Sequence, residues 1–367
     1  MKKRTGLAPL IAISAILLAL SVGSFFLTPD RAFSENENRY LQLTPKLTWD
    51  NVMSGKFMTD AENYTGDQIL LRDVWTATRS LLQRAEGKED ISGTYLGADG
   101  RYFAKVTDDS FDWNSLVKNA GYVRDFFDAN SGKPCTALIV PSPAGILRDM
   151  LPENAPYFNE DKAFGQLGDI LGSTLLDSRE TLSAVDDPYY HTDHHWTTMG
   201  AQAVYGQWAA ATGHTARSYD LTLASDHFRG TLYSKVLLPD SPYDTVAIAS
   251  DAAVRSMDCD GEVSDSLYSL AALEEKDHYK IFMGGNYAKV IIDTGANTGK
   301  SLLVVKDSFA NSFLPFLVRD YDTITVLDLR FYREGVQPLA DQADDVLVLY
   351  ELTNFASDKN LYKLNKT

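Results

Sequence analysis

The chain has 367 residues, of which 44% are hydrophobic and 23% are charged, a composition typical of globular proteins that excludes a wholly disordered chain. The 50 acidic residues against 34 basic ones give a net charge of −16. This charge argues against nucleic-acid binding, because that affinity comes largely from lysine and arginine on phosphates. The two cysteines, Cys135 and Cys259, are too few for a disulfide framework or a thiolate metal site. The sequence leaves open whether they form one disulfide or none.

The N-terminal region has the pattern of a membrane segment. Basic residues within Met1–Arg4 precede an apolar run from Leu7 to Leu27, about the length that a helix needs to cross roughly 30 Å of hydrocarbon. The basic residues on this side of the run place the N-terminus in the cytoplasm and the rest of the chain outside. A cleaved signal peptide is the alternative, but the exit segment 21–30 has no Ala-x-Ala cleavage site. We therefore predict an uncleaved signal-anchor and a single-pass protein of the cell membrane.

The segment 28–90 is predicted to be an extracytoplasmic neck that is partly helical. Apolar residues recur at helical spacing over 58–83, which indicates one or two amphipathic helices. Two short β-like runs within 95–103 then flank an Asp-Gly turn, a pattern typical of a hairpin. This hairpin lies near the start of the domain that we predict over 91–367.

Strand-like and helix-like segments alternate through the rest of the chain. The predicted helices are 117–127, 199–212 and 310–319, and the predicted strands are 136–141, 301–305, 323–327 and 346–349. Such alternation predicts an α/β fold in which a mostly parallel sheet is flanked by helices on both faces.

The first segment suited to chemistry is Tyr190–Trp196, which holds three of the six histidines directly before a predicted helix. Histidine moves protons near neutral pH, and Asp193 can share one side of an extended segment with His195 and hold its tautomer. Two other interpretations stay open. His191, Asp193 and His195 have period-2 spacing for a zinc site, although the other histidines show no ligand-like spacing. The segment is also compatible with a polar loop whose aspartate caps the next helix.

The second such segment is Lys306-Asp307-Ser308, where a predicted buried strand ends and a predicted helix begins. A serine at this junction lies at the carboxyl edge of the sheet, where open α/β folds place their sites, and amides at a helix start stabilise an anion. Asp and Ser are also favoured N-cap residues, so a purely structural role stays open. Together with Asp193 and His195, Ser308 completes the nucleophile, base and orienting acid of a Ser-His-Asp triad.

These two motifs carry a resemblance to known families. Asp193-His194-His195-Trp196 resembles the signature of the bacterial DHHW family. Its surroundings are similar to the SGNH-hydrolase-like domains of alginate O-acetyltransferase-type proteins, which have an Asp-x-His-Trp signature and the same order of parts, with Asp and His before Ser. The resemblance extends over most of the chain, and further similar stretches are 33–39, 67–73 and 140–152.

The resemblance implies an SGNH-hydrolase-like (flavodoxin-like) fold. It also implies an extracytoplasmic O-acetyltransferase or acetylesterase that acts on a cell-surface or secreted polysaccharide. It implies Ser308 as nucleophile, His195 as base and Asp193 as orienting acid, while His194 is expected to be structural. A transferase outside the cell needs acetyl groups from inside, so a multi-spanning membrane acyltransferase is the expected donor partner. No cofactor is expected.

Lys306 departs from the family pattern, in which a glycine usually precedes Asp-Ser, and it leaves the oxyanion geometry open. Gly285 and Asn286 are candidate oxyanion donors, with a glycine-rich turn between strands as the alternative. Asn311 and Arg330 are candidates for substrate binding, the arginine toward a sugar or carboxylate at the same sheet edge. Each of these two is also compatible with an ordinary surface residue.

Two functions from other classes stay open on the sequence. One is a metal-dependent hydrolase built on His191, Asp193 and His195. The other is a non-catalytic polysaccharide-binding module that uses some of the 19 tyrosines as stacking platforms. The sequence thus predicts three parts: the anchor over 1–27, the neck over 28–90 and an SGNH-like catalytic domain over 91–367.

Overall fold

A computed structural model describes residues 11–16, 19, 23, 29–34, 36, 37 and 39–366 of the chain. These residues form two units. The first contains the residues up to Lys88 together with Ser234–Asp240, and the second contains Glu89–Tyr233 with Ser241–Thr367. The run from 7 to 27 that we predict to anchor the chain falls largely outside the described residues. Of the helices that are described, none has both the length and the apolar character needed to span a bilayer.

Over residues 29–88, where all but two residues are described, the first unit contains a two-stranded hairpin and three helices. Their bounds are β1 Phe33–Ser34, β2 Arg39–Tyr40, α1 Trp49–Met53, α2 Lys56–Gln68 and α3 Arg72–Ala85. Helices α2 and α3 confirm the helical pattern predicted over 58–83. Arg39 joins the hairpin to α2, because its guanidinium donates to both oxygens of the Asp67 carboxylate, which also accepts the backbone N–H of Gln42 at 2.8 Å.

The second unit begins with a three-stranded antiparallel sheet, formed by β3 Asp90–Ile91, β4 Thr94–Leu96 and β5 Tyr102–Ala104. A 3₁₀ turn over Ala98–Gly100 connects β4 to β5. This arrangement confirms the hairpin that the Asp-Gly pair predicts.

An eight-stranded sheet forms the centre of the second unit. The remaining strands of the chain are β6 Cys135–Val140, β7 Leu175–Asp177, β8 Leu221–Phe228, β9 Asp244–Ala249, β10 Ser256–Cys259, β11 Glu262–Ser264, β12 Lys289–Asp293, β13 Ser301–Lys306, β14 Thr323–Leu327 and β15 Asp345–Glu351. The order in the central sheet is β11-β10-β12-β14-β13-β15-β6-β7, while β8 and β9 pair separately. Strands β14, β13, β15, β6 and β7 are parallel, and β12, β10 and β11 are antiparallel to their neighbours. The sheet is therefore mostly parallel, as predicted.

Helices cover both faces of this sheet. The helices between residues 89 and 366 are α4 Trp113–Ala129, α5 Pro143–Ile146, α6 Glu160–Leu171, α7 Arg179–Ser183, α8 Thr198–Thr212, α9 Thr231–Val236, α10 Gln337–Gln342 and α11 Leu352–Ser357. Leu302 and Val304 of β13 belong to the hydrophobic cluster that contains residues of α8, whereas Leu303 and Val305 belong to the cluster with α4 and α6. Because both faces of β13 are buried, its sequence is a continuous apolar run, which explains why this strand is predictable.

The prediction of a helix over 310–319 is wrong. Two 3₁₀ turns, Ser308–Ser312 and Leu314–Leu317, occupy this segment instead. Pro315 lacks a backbone N–H, and its ring collides with the carbonyl four residues earlier in an α-helix, so a helix cannot run through it. Every residue from Phe309 to Val318 is buried, so apolar packing holds the segment in place.

The two cysteines both have free thiols. Cys135 begins β6 and Cys259 ends β10, and these strands lie five positions apart in the sheet. At about 4.8 Å between neighbouring strands, this separation is roughly 24 Å, far beyond the reach of a disulfide. The sheet order therefore excludes the intramolecular bridge that the sequence leaves open.

Loops from distant parts of the chain lie at the carboxyl edge of the parallel strands. Ser308 follows β13, and the segment from Asp328 to Arg330 follows β14. Strand β12 is antiparallel to β14, so its first residue, Lys289, pairs with Leu327 at the end of β14. The loop before β12 therefore reaches the same edge as Ser308.

Candidate active site

Three polar side chains predicted from the sequence meet at this edge. Ser308 Oγ lies 2.8 Å from His195 Nε2, and His195 Nδ1 lies 2.5 Å from Asp193 Oδ1. An ionised carboxylate only accepts hydrogen bonds, so Nδ1 carries the imidazole proton and Nε2 faces the serine as an acceptor. Asp193 and His195 are buried, whereas Ser308 is half-buried. The arrangement has the geometry of a nucleophile, a base and an orienting acid.

Asp193 is held through both carboxylate oxygens. Oδ1 also accepts the backbone N–H of His195 at 3.0 Å, and Oδ2 accepts the N–H and the hydroxyl of Thr231 at 2.7 and 2.9 Å. Burial opposes ionisation, but the imidazoles of His194 and His195 and these hydrogen bonds outweigh it and hold the pKa of Asp193 well below its usual range. Asp193 is therefore negative at neutral pH, as an acid that offsets charge on His195 must be.

The loop that carries Asp193 and His195 is closed by backbone contacts at its base. Tyr189 and Trp196 form an isolated β-bridge. The carboxylate of Asp244 accepts the backbone N–H groups of His191 and Thr192, at 2.6 and 2.8 Å. These contacts give the motif a defined shape without a regular strand.

Two aromatic side chains fix His195 relative to the serine. Trp196 Nε1 donates to the carbonyl of Phe309 at 2.9 Å, which ties the histidine loop to the turn after the serine. The ring of Tyr279 stacks on the His195 imidazole, with centroids 3.8 Å apart and planes 10° apart, and its hydroxyl donates to the Ser308 carbonyl at 3.1 Å. Sequence analysis missed Tyr279, because nothing near it in the chain distinguishes it from the other tyrosines.

Thr231 is a second residue that sequence analysis missed. Its single hydroxyl proton goes to Asp193, so the hydroxyl oxygen accepts from His194 Nδ1 at 2.7 Å. This bond places the His194 ring beside that of His195, with centroids 3.9 Å apart, and agrees with a structural role for His194. The preceding residue, Gly230, lies so close that a Cβ there would be 2.3 Å from the Asp193 carboxylate. Only glycine fits at that position.

Asp307 acts as a cap beside the serine. Its carboxylate accepts the backbone N–H of Phe309 at 2.9 Å, the N–H of Glu351 at 2.9 Å and the Asn354 side-chain amide at 2.8 Å. The structural alternative for the Asp-Ser pair thus applies to Asp307. The helix start expected at the serine is a short 3₁₀ turn instead, and its Phe309 N–H is occupied by Asp307. The role of the other amides near Ser308 as oxyanion donors stays a prediction.

The loop before β12 has an unusual backbone. Met283, Gly284 and Gly285 have φ angles of 63°, 78° and 147°, a run of positive values that glycine adopts without penalty and methionine does not. The run turns the chain sharply just before Asn286, which is exposed. The glycine-rich turn considered from the sequence is therefore present, and it is the element that carries Asn286.

Lys306 connects this loop to the serine turn. Its buried Nζ donates to Asn286 Oδ1 and to Asn311 Oδ1, each at 2.8 Å. Asn311 Nδ2 in turn donates to the Gly285 carbonyl at 3.4 Å and to Asn286 Oδ1 at 3.3 Å. The structure thus brings Gly285, Asn286 and Asn311 together, and Lys306 is the residue that links them.

The guanidinium of Arg330 is paired with a carboxylate, whereas the sequence analysis considered a free arginine that binds sugar or carboxylate. Its guanidinium donates from Nε and Nη2 to the two oxygens of the buried Asp328 carboxylate, at 2.9 and 2.6 Å. Arg330 also lines a cavity of about 310 Å³ beside Asp307. Asp328 Oδ2 lies 3.8 Å from Lys306 Nζ, so Arg330 is the outer end of a chain of charges that leads inward to Lys306.

The zinc site considered for His191, Asp193 and His195 is not assembled. Among the described residues, the potential ligand atoms that lie within 4.8 Å of one another belong to Asp193, His194 and His195. His191 lies apart, with Nε2 3.6 Å from Asp187. Both Asp193 oxygens and the Nδ1 atoms of the two adjacent histidines already make hydrogen bonds, so a cation would have to replace them. The donor set fits proton transfer better than metal binding.

Comparisons with known proteins agree with the predicted resemblance. Residues 179–327 match the family model described as DHHW protein. Residues 119–235 match the model described as SGNH hydrolase-like domain, acetyltransferase AlgX. A comparison with curated proteins finds no significant match.

Solved structures share the fold at low sequence identity. A DHHW family protein from Eubacterium siraeum has a TM-score of 0.63 and 21% identity, over 76% of this chain and 96% of that one. PatB1 from Bacillus cereus has a TM-score of 0.61 and 20% identity, over 72% and 97%. A PatB1 structure with a sulfonyl adduct has a TM-score of 0.60 and 19% identity, over 73% and 99%.

The match to the AlgX-type model supports an acyltransferase-type enzyme at the level of the family. The solved structures support the α/β fold. The segment that matches the DHHW model contains Asp193–Trp196 and Ser308, the two motifs on which the resemblance rests. The chain is therefore confirmed as similar to the DHHW proteins and to the SGNH hydrolase-like domain of AlgX-type acetyltransferases, as its sequence predicts.

Proposed function

We propose that this chain is an extracytoplasmic serine-dependent O-acetyltransferase or acetylesterase that acts on a cell-surface or secreted polysaccharide. The observation that carries the proposal is the contact of Ser308 Oγ with His195 Nε2 at 2.8 Å, with Asp193 on the other imidazole nitrogen. The match to an acetyltransferase domain supports an acyl group as the group that is transferred.

In the proposed first step, Ser308 Oγ attacks the carbonyl carbon of a donor ester while His195 Nε2 takes the hydroxyl proton. Asp193 stabilises the imidazolium that forms. When the tetrahedral intermediate collapses, the bond from carbon to the leaving oxygen breaks, and His195 returns the proton to that oxygen. The products are acetyl-Ser308 and the free donor alcohol.

The oxyanion of the intermediate needs donors that are not already engaged. We assign this role to the backbone N–H of Ser308 and to Asn286 Nδ2. Asn286 is exposed at the sheet edge, and in the part of the chain that the structure describes its Nδ2 has no acceptor, while Oδ1 accepts from Lys306. Donors of this kind contribute about 10²–10³ in rate per group in serine hydrolases.

In the second step, His195 removes a proton from an acceptor hydroxyl, whose oxygen attacks the carbonyl carbon of acetyl-Ser308. When this second tetrahedral intermediate collapses, the bond from that carbon to Ser308 Oγ breaks, and His195 returns the proton to Oγ. A sugar hydroxyl as acceptor makes the protein a transferase, and water makes it an esterase. The donor proposed for the transferase is a multi-spanning membrane protein, and the apolar run over 7–27 would keep this chain at the same membrane.

A groove at the same sheet edge supports a saccharide acceptor. It has a volume of about 460 Å³ and lies beyond the ends of β10 and β14 and the start of β12. The side chain of Phe331 is 51% exposed there, and Asp258, Arg333 and Glu334 also line the groove. An exposed ring for stacking, surrounded by polar groups for hydrogen bonds, suits a sugar chain.

Replacing Phe331 by alanine should therefore raise the KM for a polysaccharide acceptor about tenfold, which corresponds to a stacking contact of about 1.4 kcal/mol. The rate at which a small probe labels Ser308 should not change, since the probe does not use the groove. Tyr362, which is also 51% exposed, offers a matched control. Tyr362→Ala should leave both quantities unchanged, and an equal KM for wild type and Phe331→Ala would refute the groove as acceptor site.

The proposed function is tested by covalent trapping, which needs neither donor nor acceptor. The full-length chain is treated with a sulfonyl fluoride or a fluorophosphonate, and the adduct is located by mass spectrometry. PatB1 carries a sulfonyl adduct in one of its structures, so this class of probe is apt. We expect one adduct on Ser308, none in Ser308→Ala, and labelling at least 10²-fold slower in His195→Ala.

Ser142 provides the control for this experiment. It follows strand β6, which lies two positions from β13 in the sheet, and it caps α5 by accepting the Gly145 N–H, so it shares the strand–serine–turn context of Ser308. Ser142→Ala should be labelled like the wild type. An adduct elsewhere, or none in folded protein, would contradict the proposal; metal-dependent activity would then favour the hydrolase alternative, and glycan binding without an adduct the binding module.

A further inference from the structure

Lys306 is a charged residue in a place where charge is costly. Its side chain is 1% exposed, and a buried ammonium lowers stability unless its hydrogen bonds are replaced. The replacements are the Oδ1 atoms of Asn286 and Asn311 at 2.8 Å, with Asp328 Oδ2 further away at 3.8 Å. Lys306 thus donates its hydrogen bonds to two neutral amides, next to the serine turn.

These bonds decide which way each amide points. An asparagine amide can turn by 180° and exchange its oxygen with its nitrogen, but an ammonium accepts no hydrogen bond and therefore selects the oxygen. Asn286 Oδ1 also accepts from Asn311 Nδ2 at 3.3 Å, so this oxygen is held from two sides. As a consequence Asn286 Nδ2 faces away from Lys306 and stays available as a donor.

The charge on Lys306 is balanced by a chain that reaches the surface. Asp328 is fully buried between Lys306 and Arg330, and the Arg330 side chain is 41% exposed. Asp328 thereby stabilises the ammonium form, while Arg330 compensates the carboxylate. The chain keeps Lys306 in its charged, purely donating form inside the protein.

We propose that Lys306 is a positioning residue that orients Asn286 so that its Nδ2 donates to the oxyanion formed when Ser308 attacks. This inference rests on the proposed function and deepens it, since it gives a role to the residue that departs from the family pattern. Lys306 itself does not touch the reacting atoms; it acts through the amide of Asn286.

A dependence of the rate on pH follows from this role. Burial lowers the pKa of Lys306 to about 8, and Arg330 acts in the same direction, whereas Asp328, Asp307 and Cys259 oppose it. Above that pKa the neutral amine has a lone pair that accepts as readily as its N–H groups donate, so it no longer selects the amide oxygens. The rate should therefore fall as the pH rises through about 8.

The test compares Lys306→Met with the wild type, using the full-length chain and p-nitrophenyl acetate as an activated acetyl ester. We expect kcat to fall about 10²-fold, with KM changed less than threefold, and the alkaline decline near pH 8 to disappear. Lys133→Met is the control: Lys133, which precedes β6, is half-buried and donates to the carbonyls of Ala340 and Ala343. It should keep the wild-type kcat and pH profile.

A double variant separates positioning through Asn286 from a general effect on the fold. Asn286→Ala should lower kcat about 10²-fold, and adding Lys306→Met should lower it no further, because the group through which Lys306 acts is gone. Additive losses would overturn the inference, and so would an unchanged kcat in Lys306→Met. If Lys306→Met does not fold, the single Asn286→Ala variant tests the inference. The rate of this variant should show no decline near pH 8, and a decline that persists would overturn the inference.

Failure of the inference is distinguishable from failure of the proposed function. If wild-type protein gives no adduct on Ser308, the proposed function fails, and the role of Lys306 fails with it. If Ser308 is labelled and Lys133→Met behaves as wild type while Lys306→Met keeps its kcat, only the role of Lys306 is overturned.

Discussion

Replacement of Asp193 by asparagine is expected to slow the labelling of Ser308 by about 10⁴-fold without unfolding the protein. The Asp193 carboxylate accepts the Nδ1 proton of His195, so Nε2 is free to take the serine proton. An asparagine amide that turns its N–H₂ toward Nδ1 favours the opposite tautomer, in which Nε2 carries the proton and cannot act as a base. Side-chain size is almost unchanged, so packing around the loop should survive.

The measurement is the rate of adduct formation by intact mass, with far-UV circular dichroism as the check on folding. Asp345 offers a matched control, because it is buried, accepts the Tyr321 hydroxyl at 2.7 Å and lies 3.5 Å from His214 Nε2. This second aspartate–histidine pair lies at the start of β15, at the opposite edge of the sheet. Asp345→Asn should label at the wild-type rate, and a loss below tenfold in Asp193→Asn would show that the acid is dispensable.

Gly230→Ala is expected to impair the site through a single added carbon. A Cβ at this position would lie 2.3 Å from both the Cβ and Oδ2 of Asp193, a distance that no real contact tolerates. Asp193 cannot move away cheaply, because both of its oxygens are engaged by His195 and Thr231. We expect labelling to slow about 10²-fold and the free energy of unfolding to fall by about 1–3 kcal/mol, the usual range for overpacking.

Gly206 provides the control for that substitution. It lies inside α8, and a Cβ there would have no atom within 4 Å apart from its chain neighbours and the backbone of its own helix. Gly206→Ala should raise the free energy of unfolding by up to about 1 kcal/mol, since alanine favours a helix interior, and should label as wild type. Denaturant unfolding and the labelling rate measure both effects. Wild-type labelling in Gly230→Ala would mean that the exact placement of Asp193 does not matter.

Much of the fold and of the proposed site was predictable because the signals are local. The central strands are buried on both faces, so they are continuous apolar runs such as Leu302–Val305. Asp193 and His195 are two residues apart, and this spacing alone lets the carboxylate reach the imidazole. Ser308 follows a buried strand, which places it at the carboxyl edge of any parallel sheet.

Contacts between distant segments were not predictable in this way. Tyr279, Thr231 and Gly230 support the site from other parts of the chain, and none has a neighbour in sequence that marks it. Lys306 was interpreted as a departure from the family pattern, and only its contacts with Asn286 and Asn311 suggest what it does.

The sequence by itself determined the chemistry that is available: an acid and a base two residues apart, a serine at a strand end, and apolar strands that must pair in an α/β sheet. The tertiary structure decided that His195 and Ser308, 113 residues apart, are in contact, and that the helix expected after the serine is a pair of 3₁₀ turns. The physical reason is that periodicity and spacing report the environment of one segment. Strand order, loop closure and the orientation of amide groups depend on burial shared between many segments.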